Sequence, residues 1–163
     1  MSPSATAADG RRVAYLVGMQ TRALLADYIE HHSLCPGADT VEEWLGKNWL
    51  EMRVGQQLIP VIPLWGIREA LTAHDVHHAL TGYPTSLKGE CQLAGWGLAS
   101  GGCRWNVFFW VDRLGALALG LVLYPGATLK AVRHGWGARN LYGMGAENIL
   151  AADVQALRER MHL

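Results

Sequence analysis

The chain has 163 residues, half of them hydrophobic, enough for one domain with a sizeable core and too few for two comfortable ones. Lys plus Arg and Asp plus Glu both number 14, a formal charge of zero that offers no positive field to a phosphate backbone and excludes nucleic acid as an expected partner. Cys35, Cys91 and Cys103 are odd in number and lack Cys-x-x-Cys spacing, which argues against a disulfide scaffold and for a reducing, cytoplasmic setting.

Met1 to Gly10 is small, polar and weakly acidic, without the positive start and apolar centre of a secretory signal; it reads as a frayed tail before a single domain over 11–163. Helical periodicity dominates and strand-like alternation over five or more residues is scarce, so the expected fold is all-α, a single-domain helical bundle. Val13, Leu16, Val17, Leu24 and Tyr28 mark a first helix that ends before Pro36 and Gly37. Thr40 and Glu43 have the spacing of a capping box and open a second helix through Trp44 and Trp49, stopped by Pro60 and Pro63.

A third helix starts near Leu64, where Leu64, Ile67 and Leu71 recur at offsets of three and four, and the same rhythm lands on His74 and His78. Both histidines are therefore expected to face inward. Gly82, Tyr83 and Pro84 make a turn, after which Thr85 or Ser86 caps a fourth helix with Leu87, Glu90 and Leu93 on one face. The pair is an αα-hairpin that returns a carboxylate to two imidazoles, a recurrent way of building metal sites in helical bundles. Gly95, Gly97, Gly101 and Gly102 then give either close helix approach or room for a ligand.

The greasiest stretch, Trp105 to Tyr124, is interrupted by Asp112 and Arg113, leaving Leu114 to Tyr124 too short to span a bilayer of about 30 Å. A core helix is the plain expectation, with burial against acyl or isoprenoid chains as the alternative. Phe108, Phe109, Trp110 and Leu117 to Leu123 could likewise be core or the wall of a tunnel for an isoprenoid tail. After basic Lys130, Arg133, His134 and Arg139 and the glycines Gly143 and Gly145, a closing helix carries Leu150, Val154, Leu157 and Met161 as its apolar stripe.

His74, Asp75 and His78 fall within an arc of about 100° of one helix, and Glu90 follows after an interval of eleven residues. Two imidazoles at i and i+4 with buried carboxylates suit a dication, although a satisfied hydrogen-bond network would use the same residues. Geometry alone does not choose between Asp75 and His77, since His74, His77 and His78 span an equal arc. Three imidazoles plus Glu90 would make a hydratase-like or hydrolase-like zinc shell; two imidazoles with Asp75 and Glu90 would make a more oxygen-rich site.

The pattern His74-Asp75-x-x-His78, eleven residues, Glu90, with Leu80-Thr81-Gly82-Tyr83-Pro84-Thr85-Ser86 and Gly89 around it, resembles the small coenzyme Q biosynthesis proteins called Coq four. A second stretch, Arg133, Gly135, Ala138, Asn140, Leu141, Tyr142 and Gly143 before the closing helix, is similar to that family's carboxyl-terminal segment, and the two together cover about half the chain. His77 stands where that family more often has a bulky aromatic residue. The resemblance decides for Asp75 and implies a helical protein that binds zinc or another divalent ion through His74, Asp75, His78 and Glu90, the same four serving catalysis. It implies work beside the membrane on a prenylated aromatic precursor. The reaction at ring carbon one would remove the carboxylate of a 4-hydroxy-polyprenylbenzoate, with oxygen replacing it in the oxidative version.

Three further residues are candidates on the substrate side. His77 could be a ligand or proton shuttle, against the plainer role of a histidine outside the ligand set. Arg133 and Arg139 could fork onto an anionic head group, against that of solvated helix arginines. The competing functions are a non-catalytic isoprenoid-lipid scaffold in a quinone-synthesis complex, a relative acting on another aromatic natural product, and a helical domain whose polar quartet is only a buried network. Expected partners are the isoprenoid lipid, a peripheral membrane contact, and a second copy or a biosynthetic complex.

Overall fold

A computed structural model describes residues 18–32, 40–63, 67–103 and 107–163. In chain order the elements are α1 (Thr21–His32), α2 (Val41–Gly46), β1 (Trp49–Val54), β2 (Gln57–Pro63), α3 (Arg68–Thr81), α4 (Leu87–Ala99), α5 (Val107–Leu123), α6 (Pro125–Gly135), α7 (Ala146–Ala151) and α8 (Val154–Met161). Helix dominates, as the periodicity requires. The expected tail, Val13 to Val17 of the first helix, Pro36, Gly37 and Leu64 lie outside the described residues.

One expected helix is corrected. Thr40 does cap α2, its hydroxyl accepting the Glu43 N–H at 3.1 Å, but α2 ends at Gly46 and the chain then forms an antiparallel hairpin, Trp49 opposite Pro63 and Val54 opposite Gln57. In a two-stranded ribbon both strands are edges, so Pro60 and Pro63 break no central ladder. The register shifts between Leu50 and Glu51, as a bulge does when it absorbs one extra residue.

The main core cluster includes Leu25 and Ile29 of α1, Ala73, Val76 and Leu80 of α3, Leu93 and Trp96 of α4, and Leu157 and Met161 of α8, and α5 adds buried Phe109. Where α4 and α6 meet, a Cβ on Gly135 would lie 2.4 Å from the Trp96 carbonyl oxygen, so only glycine permits this crossing. The closing stripe is as expected, with Leu150, Val154, Leu157 and Met161 all buried, but it spans two helices. Thr21 N–H donates to the Ala152 carbonyl and Val154 N–H to that of Met19, both at 2.9 Å, taking the junction for a bridge to the start of α1. Asp153 restarts the helix by accepting from Gln155 N–H at 2.8 Å and Ala156 N–H at 3.1 Å.

Candidate metal centre

The α3–α4 hairpin sets the site. Gly82 ends α3 in the left-handed conformation, φ 76°, its N–H returning to the His78 carbonyl at 2.9 Å. Ser86 caps α4, accepting from Gly89 N–H at 3.3 Å. Any Cβ at Gly89 would sit 1.7 Å from the Pro84 carbonyl oxygen. The next residue is Glu90, so this close turn aims its carboxylate back at α3.

His78 is fully buried. Its Nδ1–H donates to the Tyr83 carbonyl at 2.9 Å, which leaves Nε2 facing the site. That Nε2 lies 2.9 Å from Glu90 Oε1 and 3.3 Å from His74 Nε2, and His74 Nε2 lies 3.5 Å from Glu90 Oε2. Ligands held tetrahedrally about 2.0–2.2 Å from one zinc ion are separated by roughly 3.4 Å. The two nitrogens and the carboxylate therefore fit a single divalent cation in spacing and in donor chemistry. The three residues form the one such group found among the described residues, their donor atoms all within 4.8 Å of one another.

Asp75 does not join them. Neighbours on a helix diverge by about 100° whereas i and i+4 stack, so His74 and His78 share a direction that Asp75 leaves. Its Oδ2 accepts the Trp44 indole N–H at 3.1 Å. Burial raises its carboxyl to about 7, against the opposing pull of His78 and the indole. Burial works in the same direction on Glu90, but its contacts with His74 and His78 outweigh it and hold that carboxyl well below the usual carboxylate range. Burial depresses His74, with Glu90 opposing.

His77 points the other way, into the core. Its Nε2 accepts the Leu141 N–H at 2.9 Å, and its ring packs against those of Trp96 and Tyr142 at centroid distances of 5.0 and 4.7 Å. Desolvation keeps it neutral, far below the ordinary histidine range. His77 has no exposed surface, and its Nδ1 is buried without a hydrogen-bond partner. Asn140 completes the clamp by donating to the Ser100 and Gly102 carbonyls at 3.1 and 3.0 Å and accepting Tyr142 N–H at 3.2 Å.

Arg133 and Arg139 are both exposed, and the guanidinium beside the site is instead Arg113 of α5. Its Nη1 lies 3.6 Å from Glu90 Oε2 and 3.4 Å from His74 Nδ1. Three contributors thus escaped the spacing argument: Arg113, Trp44 and the Tyr83 carbonyl. The signal for Arg113 was an arginine inside the most apolar stretch of the chain, which a helix tolerates only where the charge finds partners.

No family model, curated protein or solved structure matches the chain.

Proposed function

We propose that the protein is a metal-dependent enzyme of coenzyme Q type that acts on a prenylated hydroxybenzoate, removing the ring-carbon-one carboxylate as carbon dioxide. The observation that carries this is the convergence of His74 Nε2, His78 Nε2 and the Glu90 carboxylate on one point, with Arg113 alongside. The similarity of the His74 to Glu90 segment to the Coq-four pattern supplies the substrate class. Two imidazoles and one carboxylate suit zinc, the preferred occupant, and also ferrous iron. When bound, such a cation supplies a Lewis acid that stabilises negative charge developing on the substrate, and iron in addition supplies the redox change that an oxidative version needs.

The chain's own residues prepare the site. The Tyr83 carbonyl fixes the tautomer of His78, and the Trp44 indole holds Asp75. A second reading, a lipid-binding scaffold with a structural metal, draws on the exposed apolar residues of α5, Val107, Val111, Leu114 and Val122 among them. Among the described residues no helix is long and apolar enough to cross a membrane, so this face could lie on lipid without crossing it.

Metal analysis of the purified protein, joined to a turnover assay on 3-polyprenyl-4-hydroxybenzoate, tests the proposal. One divalent ion per chain and carbon dioxide release are expected, both lost in Glu90→Gln. Full turnover by metal-free protein would overturn the metal's role, and a metal-loaded, lipid-bound protein that transforms nothing would favour the scaffold.

A further inference from the structure

Arg113 is only 9% exposed, and a guanidinium so placed must have its whole fork partnered. Its two sides are partnered differently. Nη1 is directed at His74 and Glu90, whereas Nε and Nη2 both converge on Asp112 Oδ2, at 2.6 and 2.5 Å. Asp112 precedes Arg113 on the same helix, where adjacent side chains leave the axis about 100° apart. Its carboxylate therefore has to fold back to reach the guanidinium, and its side chain is 62% exposed. The binding edge of a buried arginine is thus closed by a largely exposed carboxylate. So exposed an acidic partner is held weakly.

We propose that the Nε–Nη2 edge of Arg113 anchors the carboxylate of the substrate, and that Asp112 occupies the same place when substrate is absent. This rests on the function proposed above and names the group by which the aromatic acid is held. Planar, two-point recognition of a carboxylate is what an arginine fork does best. Because Nη1 of the same guanidinium touches Glu90 and His74, a carboxylate on the Nε–Nη2 edge is separated from the three donors by the width of one guanidinium.

The test is binding of 3-geranyl-4-hydroxybenzoate and of its neutral carboxamide to full-length, zinc-loaded protein, by calorimetry, with zinc content measured in each variant. The wild type is expected to prefer the carboxylate by about tenfold or more, the usual worth of a charge-assisted hydrogen bond. Arg113→Gln should abolish the preference, Arg113→Lys should keep part of it, and Asp112→Asn should tighten the carboxylate severalfold while leaving the amide unchanged. Retained preference in Arg113→Gln overturns the anchor. Should that variant fail to fold, Asp112→Asn decides alone, and an unchanged carboxylate affinity overturns the proposal. Zinc binding without any carboxylate preference sinks the anchor but spares the metal centre; failure of the wild type to hold zinc sinks the metal centre itself. Binding of neither ligand removes the substrate class and the anchor together.

Discussion

A single carboxylate distinguishes the ligand set from its surroundings. Glu90 meets both imidazoles, whereas Asp75 is held by Trp44. Glu90→Gln is therefore expected to lower zinc affinity at least a hundredfold and Asp75→Asn only about tenfold, near the lower bound for an outer partner; competition titrations against a chelator measure both. His77 behaves as a core residue, so replacing it tests stability. His77→Phe leaves the buried Leu141 N–H without its acceptor and should cost about 1–3 kcal/mol at pH 8. Its pH dependence has a definite sign. The folded state keeps His77 neutral while the unfolded chain protonates near 6.5, so this contribution is whole above that pH and falls away as the pH drops through it. Urea titrations between pH 8 and 5 should show a shallower acid loss in His77→Phe than in the wild type, by up to about 1.4 kcal/mol per pH unit for one proton.

At the scale of elements, the α3–α4 hairpin was legible because its signals are local: a helical histidine pair, Gly82 past the end, and Ser86 at the next cap. The β-hairpin was not. Its first strand does alternate, with Leu50, Met52 and Val54 separated by Glu51 and Arg53, but the run is short and follows directly on a capped helix. Pro60 and Pro63 have the same look as helix terminators and as edge-strand residues. The break between α7 and α8 was equally hidden, since the residues that take the Ala152–Asp153 junction come from the far end of the sequence. Gly89 offers the sharpest element-level test. With a Cβ 1.7 Å from the Pro84 oxygen, Gly89→Ala has to open the turn, at an expected cost of about 1–3 kcal/mol. Because Glu90 adjoins it, zinc affinity should fall with the melting temperature, which separates this variant from an ordinary core defect.

For the molecule as a whole, the distribution of apolar surface is the informative feature. Val111 and Val122 of α5 are 70% and 77% exposed, although helices of comparable apolarity are usually core. Each has little packing to lose, so the double variant Val111→Ser, Val122→Ser is expected to stay within about 0.5 kcal/mol of wild-type stability per site. It should co-sediment less with lipid vesicles and bind the geranylated ligand more weakly. Unchanged sedimentation would remove the lipid-facing role of α5 and leave the metal centre untouched.

Sequence alone determined what depends on near neighbours: the helical class, a cap at Thr40 and another at Thr85 or Ser86, the inward line from Leu71 to His74 and His78, and the return of Glu90 across a short turn. Those follow from helical period and turn chemistry within about twenty residues. Tertiary structure decided which polar groups meet. It sent Asp75 to Trp44, set His77 under Leu141, and brought Arg113 from the apolar helix to the rim of the site. Such contacts link residues 31 to 64 positions apart, and no local period encodes the partner of a buried charge; only the packing of whole helices against one another selects it.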